Sequence, residues 1–290
     1  MGNDIYVVVG GAKVGGIGIA VSEQLSQNGK VVMTGANQEE VDDGIVYMKS
    51  KNIDTIALVC DVLKEDDINQ LVKTTTSAGK IKGLVAVTGL TPTCGNWRLI
   101  VDVSLLGVNS LVKAFAPVMQ TGSSIVLFGS SSPYMLKKEM LDHIDDILYA
   151  SDTDPDFMKK IIPFIMSAGE QMACNLAYPI AKRGIHLMTR KFAVQLGEEK
   201  GIRVNCISPG IADTLASRAE YEASMKTEAK RMANMVNVYT PLKRMGDVRE
   251  MATVIEFLLS DKASFVSGID FTIDGGNIAY MRMNKLVDQR

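Results

Sequence analysis

The sequence predicts an α/β protein built as a doubly wound parallel sheet between two helix layers, in one domain. Three observations carry that expectation. Short β-branched runs alternate with helix-length stretches along most of the 290 residues. The runs are apolar throughout, as strands covered on both faces are. Turn or polar residues follow them, among them Gly10, Asp61, Gly89, Ser130 and Pro209. In such a sheet ligands gather at the carboxyl ends of the strands, so one cleft could collect those five positions.

Taken in order, residues 5–9 read as a buried strand closed by Gly10-Gly11, and residues 17–28 as a helix with Ala20, Val21 and Leu25 inward. Strands follow at 30–34 and 55–60, then a helix at 66–72 and a strand at 84–87 ending in Thr88-Gly89. Residues 108–119 read as helix and 124–128 as a fifth strand. A helix carries Tyr178 and runs to about residue 196, and a sixth strand at 203–207 stops at Pro209-Gly210. A helix at 248–259 and a strand at 270–273 complete the alternation. Right-handed crossovers then place helices on both faces.

Composition narrows the function classes. Apolar residues make up 47% and charged residues 22%, enough for a sizeable core. A net charge of −2 gives no basic excess for nucleic acid. Four cysteines without a C-x-x-C pair, and two histidines, make a metal or disulfide framework unexpected and suit a reduced, cytoplasmic setting. No apolar run is long enough to span a membrane, and residues 5–9 are too short for a signal h-region.

Two local patterns carry chemistry. Residues 9–18 read Val-Gly-Gly-Ala-Lys-Val-Gly-Gly-Ile-Gly, at a strand-to-helix turn. Glycines let the backbone approach a pyrophosphate, and the helix start offers unpaired N–H groups. The same glycines also suit a tight packing turn. No acid follows the second strand in Thr34-Gly35-Ala36-Asn37, so a 2′-phosphate would not be repelled. Lys13 either pairs with that phosphate or is a solvated loop lysine; the reading favours NADP(H) over NAD(H). Asp61 either accepts from adenine or caps the next turn. The second pattern is Tyr178 and Lys182, four residues apart and so on one helix face. An ammonium beside a phenol favours the phenolate, which makes the pair a plausible acid/base. Ser130, in Gly129-Ser130-Ser131-Ser132, adds a hydroxyl after the fifth strand.

The order Gly16-Ile17-Gly18, Cys60-Asp61-Val62, Ser124 through Ser130, Tyr178-x-x-x-Lys182, Arg203-Val204-Asn205-Cys206-Ile207-Ser208-Pro209-Gly210, Asp213-Thr214 and Gly268 through Gly276 resembles the short-chain dehydrogenase/reductase family, classical type, over nearly the whole chain. The resemblance implies a Rossmann-like three-layer α/β/α fold, an NAD(P)(H) cofactor, a small-molecule alcohol or ketone substrate and a homodimer or homotetramer. It implies Tyr178 as general acid/base, Lys182 lowering its pKa and binding the nicotinamide ribose, and Ser130 polarising the carbonyl. Gly11, Gly16, Ile17 and Gly18 would line the pyrophosphate and Asp61-Val62 the adenine. Pro209, Gly210, Ile211 and Thr214 would hold the carboxamide, with Gly89 at the end of the fourth strand. Three departures stand out. The glycine loop has one extra residue between Gly11 and Gly16, the usual Asn-Ala-Gly is Val87-Thr88-Gly89, and the relay asparagine falls at Ser104. Counted from Gly10 the loop approaches that of enoyl reductases, whose Tyr–Lys spacing is wider.

Ser130 and Tyr178 are 48 positions apart, longer than the family's usual interval. Residues 133–170 form a helical insert, with Met140, Leu141, Ile144, Ile147 and Leu148 at helical spacing and a second helix at 156–167 containing Pro163. Such an amphipathic pair covers the substrate or forms a subunit interface, and the second is favoured. The insert, the run Ala168 to Tyr178 and the stretch Asp274 to Arg282 are similar to the bacterial 3α-hydroxysteroid dehydrogenase/carbonyl reductase subgroup. That implies a hydroxysteroid or other bulky alicyclic substrate. A non-catalytic nucleotide-sensing protein and an enoyl-type reductase are the alternatives.

Overall fold

The computed structural model describes residues 4–288. Seven parallel strands form one sheet in the order β3-β2-β1-β4-β5-β6-β7. The first half runs β1 (Asp4–Val9), α1 (Ile17–Leu25), β2 (Lys30–Gly35), α2 (Gln38–Ser50), β3 (Thr55–Val59), α3 (Glu65–Ala78) and β4 (Lys80–Ala86). The second half runs α4 (Trp97–Val101), α5 (Val108–Phe115), β5 (Ser124–Phe128), α6 (Lys138–Tyr149), α7 (Phe157–Ile165), α8 (Ala173–Lys200), β6 (Arg203–Pro209), α9 (Leu215–Met225), α10 (Arg231–Asn237), α11 (Val248–Leu259), β7 (Asp270–Ile273) and α12 (Asn277–Met283). Strand order reverses between β1 and β4, the switch point at which α/β sheets open a ligand crevice.

Alternation along the strands splits the core in two. Val7, Leu84, Ile125, Leu127 and Val204 face α3, α5 and α8, whereas Val8, Val31, Val85, Val126 and Ile207 face α1 and α11. Both faces are covered by helices, which is why the strands lack polar alternation.

The alternation read from sequence holds, and differences lie at the ends. The helix at 66–72 extends over Glu65–Ala78, and β4 begins at Lys80, before Leu84. The Tyr178 helix begins at Ala173 and carries Pro179 inside it; the donor Pro179 lacks falls opposite the exposed Asn175, where water can serve the carbonyl. Helix α5 is the end of a longer rod in which α4 passes through a π-helical turn, Asp102–Gly107. Helices α2, α9, α10 and α12 had no counterpart in the sequence reading, because their apolar stripes are weak or short.

The insert needs correction. Its apolar stripe packs on its own chain rather than on a substrate or a partner. Leu141, Ile144 and Leu148 of α6 and Phe157, Ile161 and Ile165 of α7 are buried in one core with Ala177, Ala181, Ile185 and Met188 of α8. Ion pairs pin it: Arg183 holds Asp145 through two bonds of 2.8 and 2.5 Å, and Lys191 and Lys113 converge on the buried Asp152. Among the described residues no helix is long and apolar enough to cross a membrane.

Candidate active site

The site forms at the carboxyl ends of β1, β4, β5 and β6. At β1, Gly10 takes φ +79° and Gly15 φ +76°, the left-handed region that glycine reaches without a Cβ clash. A Cβ on Gly18 would stand 2.0 Å from the Gly10 carbonyl oxygen, so this glycine lets α1 lie directly on the loop. Helix α1 begins after Gly16 with no side-chain cap and no acid in its first turn. The first N–H groups therefore remain available beside Ile17, a cradle that fits a dinucleotide pyrophosphate. Gly11 has a packing role, since a Cβ there would meet Val8 and Ser22.

Lys13 lies at the rim with its ammonium 3.5 Å from Glu40. Glu40 also accepts from the Ala36 N–H at 2.9 Å, so an acid does reach the end of β2, from the helix that follows. Sequence reasoning missed Glu40, although Asn37-x-x-Glu40 is a helix-start signature and the Asn37 side chain does accept from the Glu40 N–H. Asp61 accepts from the Leu63 N–H at 3.0 Å and lies 3.7 Å from Lys64, which gives the turn role its contact. Val62 beside it is buried against Gly107.

Lys182 is buried and donates to the Phe128 carbonyl at 2.7 Å. Its ammonium is 5.9 Å from the centre of the Tyr178 ring. A Cβ at Gly89 would come within 3.1 Å of that ammonium and 3.4 Å of the Ser104 hydroxyl, so Gly89, Lys182 and Ser104 meet at one point. Ser104 sits in the π-helical turn, buried, and accepts from the Leu90 N–H at 3.0 Å. Asn109 is buried elsewhere, with its amide toward Ser151 at 3.4 Å.

The Ser130 hydroxyl lies near enough to the Tyr178 phenol to lower its pKa. The Ser130 oxygen accepts from the Ser132 N–H at 3.1 Å, which leaves its proton available to donate. Electrostatics correct the sequence reading here. Burial pushes the Tyr178 phenol above its ordinary value; the Ser130 hydroxyl opposes that, and the Glu220 carboxylate on α9 adds to it. Burial also brings the Lys182 ammonium down to about 8. The lysine thus lies within reach of the phenol face without being what sets its acidity in the protein alone.

Just past β6, the Gly210 N–H donates to the Ile273 carbonyl at 2.9 Å, and a Cβ there would collide with Asp274. Thr214 caps α9, accepting from the Ser217 N–H at 3.1 Å. Pro209, Gly210, Ile211 and Thr214 are brought to the side of the cleft where α9 begins.

The family model described as enoyl-(acyl carrier protein) reductase matches residues 10–139 and 161–277, so the unmatched internal stretch falls within the insert. The short-chain dehydrogenase/reductase bsc3 of Alternaria brassicicola is 25% identical over 97% of this chain and 98% of its own. The dehydrogenase/reductase SDR family member 4 of Bos taurus is 27% identical over 93% and 86% respectively. A short-chain dehydrogenase/reductase from Mycobacterium ulcerans superposes with a TM-score of 0.75 at 24% identity, covering 99% of this chain and 96% of that one. One from Brucella melitensis, at 26% identity, gives 0.69 over 96% and 97%. With the glycine cradle, the Ser130–Tyr178 pair and the buried lysine in place, the chain belongs to the short-chain dehydrogenase/reductase family of NAD(P)-dependent oxidoreductases.

Proposed function

We propose that the protein interconverts a secondary alcohol and a ketone, with a hydroxysteroid or similarly bulky alicyclic compound as substrate. The observation that carries this reading is the gathering of Tyr178 and Ser130 beside buried Lys182, whose ammonium lies 5.9 Å from the Tyr178 ring centre. A bound nicotinamide cofactor supplies or takes the hydride. In the reducing direction the carbonyl carbon gains the hydride and the oxygen gains the Tyr178 proton, giving the alcohol and a phenolate. Ser130 donates to the oxygen as negative charge develops on it. Lys182, fixed by the Phe128 carbonyl, lies where a cation stabilises the phenolate left behind.

The cofactor proposed is NADP(H) in preference to NAD(H), with Lys13 as the cation for a 2′-phosphate. That phosphate has to draw Lys13 away from Glu40. Lys13→Ala then weakens NADPH binding and leaves NADH binding unchanged. The setting proposed is cytoplasmic and the assembly a homodimer or homotetramer, which sedimentation of the purified protein measures. Glu220 of α9 acts on Tyr178, and the same segment carries the exposed apolar residues Leu215 and Met225, which would suit a large apolar ring system.

Purified protein incubated with NADPH or NADH and a panel of ketosteroids and cyclic ketones tests the reading through loss of dihydronicotinamide absorbance. Turnover of a ketone that vanishes in Tyr178→Phe supports it; no oxidation with any carbonyl rejects it. The description of the matching family model favours one second reading, reduction of an enoyl thioester. Crotonyl thioester consumed in place of every ketone would select that alternative.

A further inference from the structure

Behind Ser130, on the side away from the cleft, lies a buried polar cluster that the reaction does not use. His186 is one helical turn beyond Lys182 on α8, and its Nε2 is 2.8 Å from the Ser208 hydroxyl. Ser208 donates to Asp270 Oδ1 at 2.6 Å, and Tyr134 donates to Asp270 Oδ2 at 2.5 Å. His186 Nε2 is also 3.3 Å from Asp270 Oδ2. Ser208 has one hydrogen and gives it to Asp270, so it accepts from His186, whose proton must then sit on Nε2. His186 and Ser208 are almost fully buried. The donor atoms of His186, Asp270 and the neighbouring Cys206 lie within 4.8 Å of one another, a spacing that could suit a metal. Each Asp270 oxygen already accepts from a hydroxyl, however, so hydrogen bonds account for the grouping.

The cluster grips the Ser130 segment at both ends. On one side is Gly129, where an added Cβ would lie 2.7 Å from Cys206 Sγ and the Ser208 oxygen, and 2.8 Å from His186 Nε2. The space of the missing side chain is filled by atoms of the cluster. On the other side is Tyr134, four residues past Ser130, on a short turn tied by the Tyr134 N–H to the Ser131 carbonyl at 3.1 Å. The Tyr134 ring packs on His186 with centroids 5.5 Å apart and beneath the Arg282 guanidinium at 5.2 Å. Between these anchors, the Gly129 and Ser131 N–H groups donate to the Ile207 and Pro209 carbonyls at 2.9 and 3.0 Å.

We propose that His186, Ser208, Asp270 and Tyr134 are positioning residues, a hydrogen-bonded brace that joins α8, β6 and β7 and fixes the Ser130 segment so that its hydroxyl is aimed at Tyr178. The inference rests on the assignment of Ser130 and Tyr178 to the reaction. A buried network with each member satisfied fixes one geometry, because any slip strands a polar group away from water. A hydroxyl that must donate to a developing oxyanion needs that fixity.

The test reads the action of Ser130 on Tyr178 without turnover. Tyr178 is replaced by 3,5-difluorotyrosine, an intrinsically more acidic phenol, in the full-length chain, and its ionisation is followed by fluorine NMR. Charged neighbours of that phenol are Lys182 on its own helix and Glu220 on α9, and both are retained. Tyr134→Phe keeps the ring between His186 and Arg282 and removes only the bond to Asp270. It should raise the phenol's pKa by about one unit, the worth of one hydrogen bond to a charged group. Ser130→Ala should raise it similarly, and the double variant no further than Ser130→Ala alone. Asp270→Asn gives the same reading if Tyr134→Phe does not fold. No shift with either brace variant, or an equal additional shift in the Ser130→Ala background, overturns the proposal. A coupled shift in a protein inert toward every ketone would leave the brace standing and reject the proposed reaction, so the two failures are separable.

Discussion

The insert and the α9–α10 segment are built in opposite ways. Helices α6 and α7 each bury three large or apolar residues, and ion pairs fasten α6 and its exit to α8. Helix α9 has no buried residue, and α10 buries only Ala233 and Val236. Leu215 at the start of α9 is 67% exposed although it lies over Gly15 of the nucleotide loop. The insert is therefore part of the core that holds α8 still. The α9–α10 segment leaves Leu215 and Met225 exposed, and ligand-binding segments are drawn from such weakly packed regions. Dense packing thus lies against α8 in the insert, and sparse packing at α9 and α10.

Four experiments bear on that contrast. The largest effect belongs to the chemistry itself: Tyr178→Phe should lower turnover about 10²–10⁴-fold with little change in melting temperature, read by steady-state kinetics and calorimetry. In the insert, Ile144→Ala should cost about 2–5 kcal/mol in urea unfolding, the range for a buried aliphatic truncation. Near-neutral stability there would mean that the insert is not part of the cooperative core.

His186 gives a pH signature on the densely packed side. Burial brings its imidazole down to about 4 from an ordinary 6.5. Between those values the unfolded chain binds a proton that the folded chain refuses. Its contribution is thus intact above pH 6.5 and falls as pH drops toward 4, by about 3 kcal/mol in all. His186→Gln should be less stable at pH 7 yet lose stability less steeply across that window, as denaturant curves at pH 7 and 4.5 would reveal. The smallest expected effect is in α9: Leu215→Ala should change stability by less than about 0.5 kcal/mol while altering the KM for a bulky ketone. A larger loss of stability would place α9 within the core and erase the contrast.

Much of this was legible in the sequence because it depends on local spacing. The four-residue interval sets Tyr178 and Lys182 on one helix, and the glycines mark a backbone that must turn and be approached closely. Continuous apolar runs separated by helical stretches leave few folds other than a parallel sheet covered on both faces. The insert's helices were legible for the same reason, whereas what they bury against was not, since an amphipathic stripe specifies only that a partner exists.

The amino-acid order by itself thus determined the sheet and nominated the serine, tyrosine and lysine as candidates for the cleft at its carboxyl edge. Tertiary structure alone decided how those groups behave. It ties Lys182 to Phe128 across 54 residues of chain, Arg183 to Asp145 across 38 and Ser208 to Asp270 across 62. It also turns the Tyr178 phenol upward in pKa, where a neighbouring ammonium had suggested the reverse. The reason is physical: periodicity and spacing act over a few residues, whereas desolvation and long-range hydrogen bonds depend on which distant segments close over a group.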